Sequence, residues 1–399
     1  MRREQKTATA GCPGEDRLEV EDNRGVRSVR SDEGGTVDQC QTDLMEQILD
    51  GENLDRAYRK VKENKGAPGI DKMTVEELLP YLKRHKDEIV GKILNGSYRP
   101  KPVRRVEIPK PDGGVRLLGV PTVLDRFVQQ ATAQVLSPIF EETFSEYSYG
   151  FRPERSAHDA LLQVKRYFDE GYEYVVDIDL AKYFDTVNHD KLINMLREVV
   201  KDERVIRLIR RFLISGVMIG GLVHATEEGV PQGGPLSPLL SNIYLTKFDR
   251  ILEDRGLRFA RYADDCNIYV KSQRAAERVM VSATNFLEKT LKLKVNQDKS
   301  QVGSPKRLKF LGFTLWKIKD KSGIGVHKKS KKRFQDKVRK ITKRNRGRSI
   351  DAILGELKRY TVGWLAYYRL ANMKSWLNSM DSCPKMMVRN VILTVFIVI

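Results

Sequence analysis

A chain of 399 residues is long enough for two or three domains at about 100–200 residues each. Lys and Arg number 72 against 53 Asp and Glu, a formal charge of +19, so an extended polyanion is the natural partner. No run approaches the ~18–20 apolar residues of a membrane span, and Met1-Arg2-Arg3-Glu4-Gln5-Lys6 lacks the apolar core of a secretory signal. These features predict a cytoplasmic protein with no membrane partner. Cys12, Cys40, Cys266 and Cys383 are scattered without ligand or disulfide spacing, which argues against a zinc site and a disulfide framework.

Residues 1–40 are rich in Gly, Asp, Glu, Arg and Ser and read as a flexible leader. From 41 to 318, helical runs alternate with short β-branched runs, the pattern of an α+β body without internal repeats. Ile108-Pro109-Lys110-Pro111-Asp112-Gly113-Gly114-Val115-Arg116 predicts a hairpin that brings Lys110 and Arg116 together. Such a pair suits a triphosphate, Arg as a planar fork and Lys as a point charge. Tyr174 to Asp179 alternates like a strand, with Asp177 and Asp179 on one face, and turns into Leu180-Ala181-Lys182-Tyr183-Phe184-Asp185.

Next come Gly229-Val230-Pro231-Gln232-Gly233-Gly234-Pro235-Leu236-Ser237-Pro238. Gly233 and Gly234 permit close backbone approach to a ligand. Ser237 suits an N-cap and Pro238 a first helical residue, ahead of a helix that Gly256 would stop. Leu257 to Val270 reads as strand, turn, strand, with Tyr262-Ala263-Asp264-Asp265 at the turn. Read alone, paired aspartates in a turn are only a turn. Beside a third acid they are costly unless a cation neutralises them. Two Mg²⁺ ions about 3.5–4 Å apart would activate a hydroxyl and hold a leaving pyrophosphate, completing their shells with substrate phosphates.

Farther on, the segment 328–348 holds twelve Lys/Arg against the single Asp336, and 350–370 places Ile353, Leu354, Leu357, Tyr360, Thr361, Trp364, Leu365 and Tyr368 at near-helical spacing. Residues 326–381 therefore predict a basic helical appendage whose exposed face either meets water or meets RNA. Residues 382–399 end in the uncharged, β-prone run Val391 to Ile399, the composition of an aggregation-prone segment.

Taken together, these motifs resemble the reverse transcriptases encoded by bacterial group II introns. Tyr262-Ala263-Asp264-Asp265 between strands, with an upstream strand ending at Asp179 before Phe184-Asp185, resembles their palm. Asn64 to Asp71, Arg116 to Thr122 and Tyr149-Gly150-Phe151-Arg152-Pro153 match further signatures. The resemblance implies a right-hand polymerase of fingers and palm over 41–318, with a maturase-specific helical thumb over 326–381 that looks truncated. It implies that Asp179, Asp264 and Asp265 are catalytic metal ligands for two Mg²⁺ ions, with Asp177 and Asp185 as competing acids. Nucleotide contacts are implied for Lys110, Arg116, Phe184, Gln232, Gly233 and Lys299, Phe184 excluding a 2′-hydroxyl and Lys299 protonating pyrophosphate. Phe310-Leu311-Gly312-Phe313 resembles the family's primer-gripping strand.

The implied partners are intron RNA, an RNA template with a DNA primer, and dNTPs, with RNA contacts at Lys328, Lys329, Lys331, Lys332 and Arg333. The family couples RNA-directed DNA synthesis to intron splicing and mobility. The tail 382–399 departs from the family's Trp and Arg-rich helix. A catalytically impaired splicing factor and a host-defence reverse transcriptase are the alternatives.

Overall fold

The computed structural model describes residues 43–109, 114–319, 321–343 and 349–381. The leader 1–40, Lys110, the stretch 344–348 and the tail 382–399 lie outside the described residues. Ten strands are defined among the described residues: β1 (Val103–Pro109), β2 (Val115–Val120), β3 (Tyr174–Ile178), β4 (Val217–Ile219), β5 (Leu222–His224), β6 (Arg258–Tyr262), β7 (Asp265–Val270), β8 (Gln301–Gly303), β9 (Phe313–Ile318) and β10 (Lys321–Val326). The chain divides into two compact units.

The first unit runs to Phe140 and adds Ile193–Glu227 and Pro231–Ser237. Its sheet has the order β2-β1-β4-β5. β1 and β2 form the expected hairpin, pairing Arg104 with Val120 and Ile108 with the exposed Arg116. Asp50 caps the helix Gly51–Glu63 by accepting from the Glu52 and Asn53 amides, which satisfies donors that have no partner inside the helix. The Asn64 to Asp71 motif is pinned by its main chain: Arg126 Nη2 donates to Ala67 O at 2.8 Å and Arg104 Nη2 to Pro68 O at 2.9 Å.

The second unit comprises Glu141–Leu192, Glu228–Val230 and the described residues from Pro238 onwards. Its antiparallel sheet has the order β6-β7-β3-β8, and β9 pairs with β10 in a separate ribbon. The helix Ala157–Asp169 starts at a capping box in which Ser156 and Asp159 satisfy each other's amides. It buries Leu161, Val164 and Phe168 against Val175, Tyr269 and Phe313, so strand and helix periodicities close one core. The helix Ser237–Asp254 begins one residue earlier than expected. Ser237 does not cap it: its hydroxyl donates to Pro231 O at 2.6 Å inside the first unit. Gly256 does stop it, with φ +61° and its amide on Glu253 O.

Helices Lys328–Ile341, Ile350–Tyr368 and Lys374–Asp381 form the appendage. Ser330, Phe334, Val338 and Ile341 recur every three or four residues on one buried stripe of the first. Phe334 meets Trp364 at 4.5 Å and Trp376 at 5.8 Å between ring centroids. Two sequence expectations change here. Leu354 lies on the exposed side of its helix, because the buried stripe is set by Leu357, Thr361 and Tyr368. Phe310 to Phe313 is not a strand but a tight turn, with Leu311 at φ +50° and Phe310 and Phe313 exchanging backbone hydrogen bonds; β9 starts only at Phe313. Among the described residues, no helix is long and apolar enough to cross a membrane.

Candidate active site

Strand register assembles the acids. In the pairing of β3 with β7, Ile178 stands opposite Cys266, so Asp179, one step past β3, comes level with Asp265. Across the hairpin Tyr262 pairs with Asp265, leaving Ala263 and Asp264 as the two-residue tip. Ala263 has φ +58° and Asp264 does not share the positive sign, the sign pattern of a type II′ turn. Asp177 pairs with Asn267, two residues from Asp179, and therefore projects from the same face of the sheet. Three acids thus come from two adjacent strands, with Asp264 beside them on the turn.

Their charges oppose one another. The Asp265 carboxyl is pushed up to about 8, first by burial and then by Asp177, Asp264 and Asp179, with Lys309 pulling the other way. Asp177 is pushed up to about 6 by burial, eased by Gln301, whose Nε2 donates to it at 3.5 Å. Asp185 occupies an exposed position. Among the described residues, no three acidic, His or Cys side chains converge closely enough to cage an ion unaided. The donor set is all carboxylate, the hard oxygen chemistry that Mg²⁺ accepts when substrate phosphates and water fill the remaining positions. On that chemistry the residues fit a divalent ion shared with substrate.

The segment carrying Lys299 is strapped to the same strand end. Asp179 N–H donates to Ser300 Oγ at 3.0 Å, Asn296 N–H donates to Asp179 O at 2.8 Å, and Ala181 N–H donates to Lys294 O at 2.8 Å. Lys299 therefore sits on a turn fixed to the Asp179 backbone. Ser300 and Asn296, which do the strapping, carry no motif signal. Tyr183 and Phe184 divide two roles: Tyr183 is buried and donates its hydroxyl to Ser241 O at 2.9 Å, while Phe184 stays half-buried, edge-on to Tyr183 at 5.1 Å. Phe184 therefore keeps part of its surface accessible. Val230 N–H donates to its carbonyl at 2.6 Å, fixing the short helix Tyr183–Thr186.

Within the first unit, Gly119 N–H donates to Gln232 O at 2.8 Å. Gly233 has φ +127°, and a Cβ there would meet Gly119 O at 2.8 Å, so only glycine passes β2 at this point. In the appendage, Lys328, Lys329, Lys332 and Arg333 are exposed. Lys331 is instead half-buried, its ammonium 5.4 Å from the centre of the Trp376 ring, and burial lowers its pKa.

The sequence profile described as reverse transcriptase (RNA-dependent DNA polymerase) matches residues 108–315, more than half of the chain and the whole of β3, β6 and β7. The chain belongs to the reverse transcriptases. A second profile, the group II intron maturase-specific domain, matches residues 331–395 of this reverse transcriptase. It is 36% identical over 299 residues to Protein YkfC of Escherichia coli, covering 65% of the chain and 78% of YkfC. Against the group II intron-encoded protein LtrA of Lactococcus lactis it is 36% identical over 227 residues, which is 56% of the chain but 37% of LtrA. The putative COX1/OXI3 intron 2 protein of Saccharomyces cerevisiae is 31% identical over 321 residues, 65% of the chain and 37% of that protein. The chain is thus a reverse transcriptase that also matches a group II intron maturase-specific segment, and it spans little more than a third of the length of the two larger relatives. Divalent-metal use is general to this family, and its two matched segments imply binding to intron RNA and to a primed template.

The raised Asp265 pKa has a measurable consequence for this reverse transcriptase without metal. The unfolded chain ionises Asp265 near the ordinary carboxylate value, whereas the folded protein keeps it protonated to about 8. Unfolding therefore releases a proton between pH 4 and 8, and the group's contribution to stability falls as pH rises through that window. Asp265→Asn removes the penalty, so in EDTA its thermal midpoint should exceed that of the wild type at pH 8, with the difference shrinking towards pH 4. Coincident melts at pH 8 would contradict the assigned environment.

Proposed function

We propose that the chain extends a DNA primer on an RNA template with deoxynucleotides, using two Mg²⁺ ions held by Asp179, Asp264 and Asp265, and that it does so for a group II intron whose RNA it also binds. The observation that carries this reading is the register of β3 with the β6–β7 hairpin, which brings Asp179 level with Asp265. When bound, the ions would lower the pKa of the primer 3′-hydroxyl and neutralise charge on the leaving pyrophosphate.

The chain's own residues do the rest. Asp179 at the end of β3 and the Asp264–Asp265 pair at the β6–β7 turn would present oxygen ligands from fixed positions, so the reacting groups are oriented before chemistry begins. Phe184, half-buried and fixed through its carbonyl, would crowd the 2′ position of the incoming sugar. Lys299, on the turn strapped to Asp179, would deliver a proton to pyrophosphate. Nucleotide contacts for Lys110, Arg116, Gln232 and Gly233 rest on the motif resemblance, with the exposed Arg116 guanidinium suited to a bidentate phosphate grip. Help in splicing the intron is supported by the match to the maturase-specific domain and by the exposed basic face of the helix Lys328–Ile341.

Three measurements test this reading. Asp264→Asn removes a charge the metals require and should lower primer extension by orders of magnitude while leaving the circular dichroism spectrum unchanged; near-normal extension would sink the assignment. Phe184→Ala should raise ribonucleotide incorporation relative to deoxynucleotide, because bulk is the means of exclusion. Unchanged selectivity in single-nucleotide extension would remove Phe184 from the sugar pocket. Neutralising Lys328, Lys329, Lys332 and Arg333 should weaken intron RNA binding and flatten its log–log salt dependence by roughly 0.7–0.9 for each phosphate that is no longer neutralised. The half-buried Lys331 stays unchanged in this variant, since replacing it would disturb packing on Trp376 as well; an unchanged slope in the four-site variant would place this face outside the RNA interface.

A further inference from the structure

We propose, on the basis of the polymerase reading above, that Arg261 is a positioning residue that sets the orientation of the Ala263-Asp264-Asp265 turn, and that the Tyr149-Gly150-Phe151-Arg152-Pro153 motif is the platform it works against. Arg261 lies on β6 and is completely buried, a rare location for a guanidinium. All three of its nitrogens are engaged. Nε and Nη2 donate to the two oxygens of Asp249 at 2.8 and 2.5 Å, and Nη1 donates both to Asn242 Oδ1 at 3.0 Å and to Ala263 O at 2.9 Å. The last of these is the carbonyl immediately before Asp264.

A second layer holds the same main chain from outside the sheet. Asn242 Nδ2 donates to Gly150 O at 2.8 Å, so Arg261, Asn242 and Gly150 form one relay. Tyr149 N–H donates to Arg261 O at 2.8 Å and Arg261 N–H to Tyr147 O at 2.9 Å, laying residues 147–149 along β6. Gly150 then passes so close that a Cβ on it would fall 2.2 Å from Ala263 N. Arg152 anchors this platform by donating to Ser148 O at 2.8 Å and, through Nε, to Glu141 at 2.8 Å.

A fully buried ion pair is a poor device for stability alone, because an apolar pair of similar volume serves as well or better. What an apolar pair cannot do is donate a hydrogen bond to Ala263 O. Ala263 holds a positive φ that costs a non-glycine residue energy, so the turn needs outside support to keep this shape. The relay provides that support from side chains on the helix Ser237–Asp254 and β6, neither of which has to touch substrate.

The double variant Arg261→Met/Asp249→Leu separates positioning from packing. It should fold, with a wild-type circular dichroism spectrum, yet show kcat for primer extension lowered on the order of 10²-fold, the loss expected for about 1 Å of misplacement. Its KM for the deoxynucleotide should change little, and electron paramagnetic resonance should detect weaker Mn²⁺ binding to the protein without primer or nucleotide. A folded double variant with wild-type turnover and Mn²⁺ affinity overturns the proposal. If the double variant does not fold, Asn242→Ala decides, because it leaves the Arg261–Asp249 pair intact: lowered turnover with weakened Mn²⁺ binding supports the relay, and wild-type values for both overturn it. Wild-type protein that extends no primer would overturn the polymerase reading instead, and the Mn²⁺ comparison would still test the relay.

Discussion

The pairing of β3 with β7 is the constraint on which the rest of the second unit depends. It holds Asp177, Asp179 and Asp265 on one face of a sheet, where burial and neighbouring carboxylates disfavour the charged forms of Asp177 and Asp265. Two-residue periodicity makes the arrangement all or nothing: a slip of one residue in β3 would turn Asp179 to the other face and present Ile178 in its place. The sheet can hold this register because Val175, Val176, Ile178, Ile268 and Tyr269 are buried around the acids. Hydrophobic burial thus offsets an electrostatic cost that the strands themselves create, and a divalent cation would relieve that cost.

Support for the acids comes from both sides of the sheet's end. On one side, Ser300 and Asn296 fix the Asp179 backbone and carry Lys299 with it. On the other, Arg261 holds the carbonyl ahead of Asp264. The first support comes from a segment distant in sequence, and the second comes from β6, three residues ahead of Asp264. A tip of two residues leaves little freedom, and the energy needed to hold Ala263 at positive φ is spread over a buried network rather than stored in a long loop.

Much of this is legible in the sequence because the periodicities are clean. Tyr174 to Asp179 alternates, Leu257 to Val270 breaks once at the Asp-Asp, and Gly256 ends a helix where a glycine should. What escapes reading depends on partners distant in sequence. Arg261 looks like a solvent-facing strand cation until Asp249 and Asn242 are seen beside it, and neither of these two belongs to a recognised motif. Lys331 reads as one more basic residue, yet helical phase turns it towards Trp376 while its neighbours face outward. Phe310 to Phe313 carries strand-forming side chains, but Gly312 at φ +90° and Leu311 at φ +50° bend it into a turn. Ser237 has the right chemistry for a cap and is drawn instead to the Pro231 carbonyl.

Under the proposed function, Asp179, Asp264 and Asp265 ligate the ions that carry out nucleotidyl transfer. Crystals of the protein with an RNA template, a dideoxy-terminated DNA primer, a deoxynucleotide and Mn²⁺ would test it through anomalous scattering. Two peaks about 3.5–4 Å apart, bridged by these carboxylates and the triphosphate, are the predicted result. Well-ordered nucleotide with no anomalous density against Asp179 and the Asp264–Asp265 turn would contradict it.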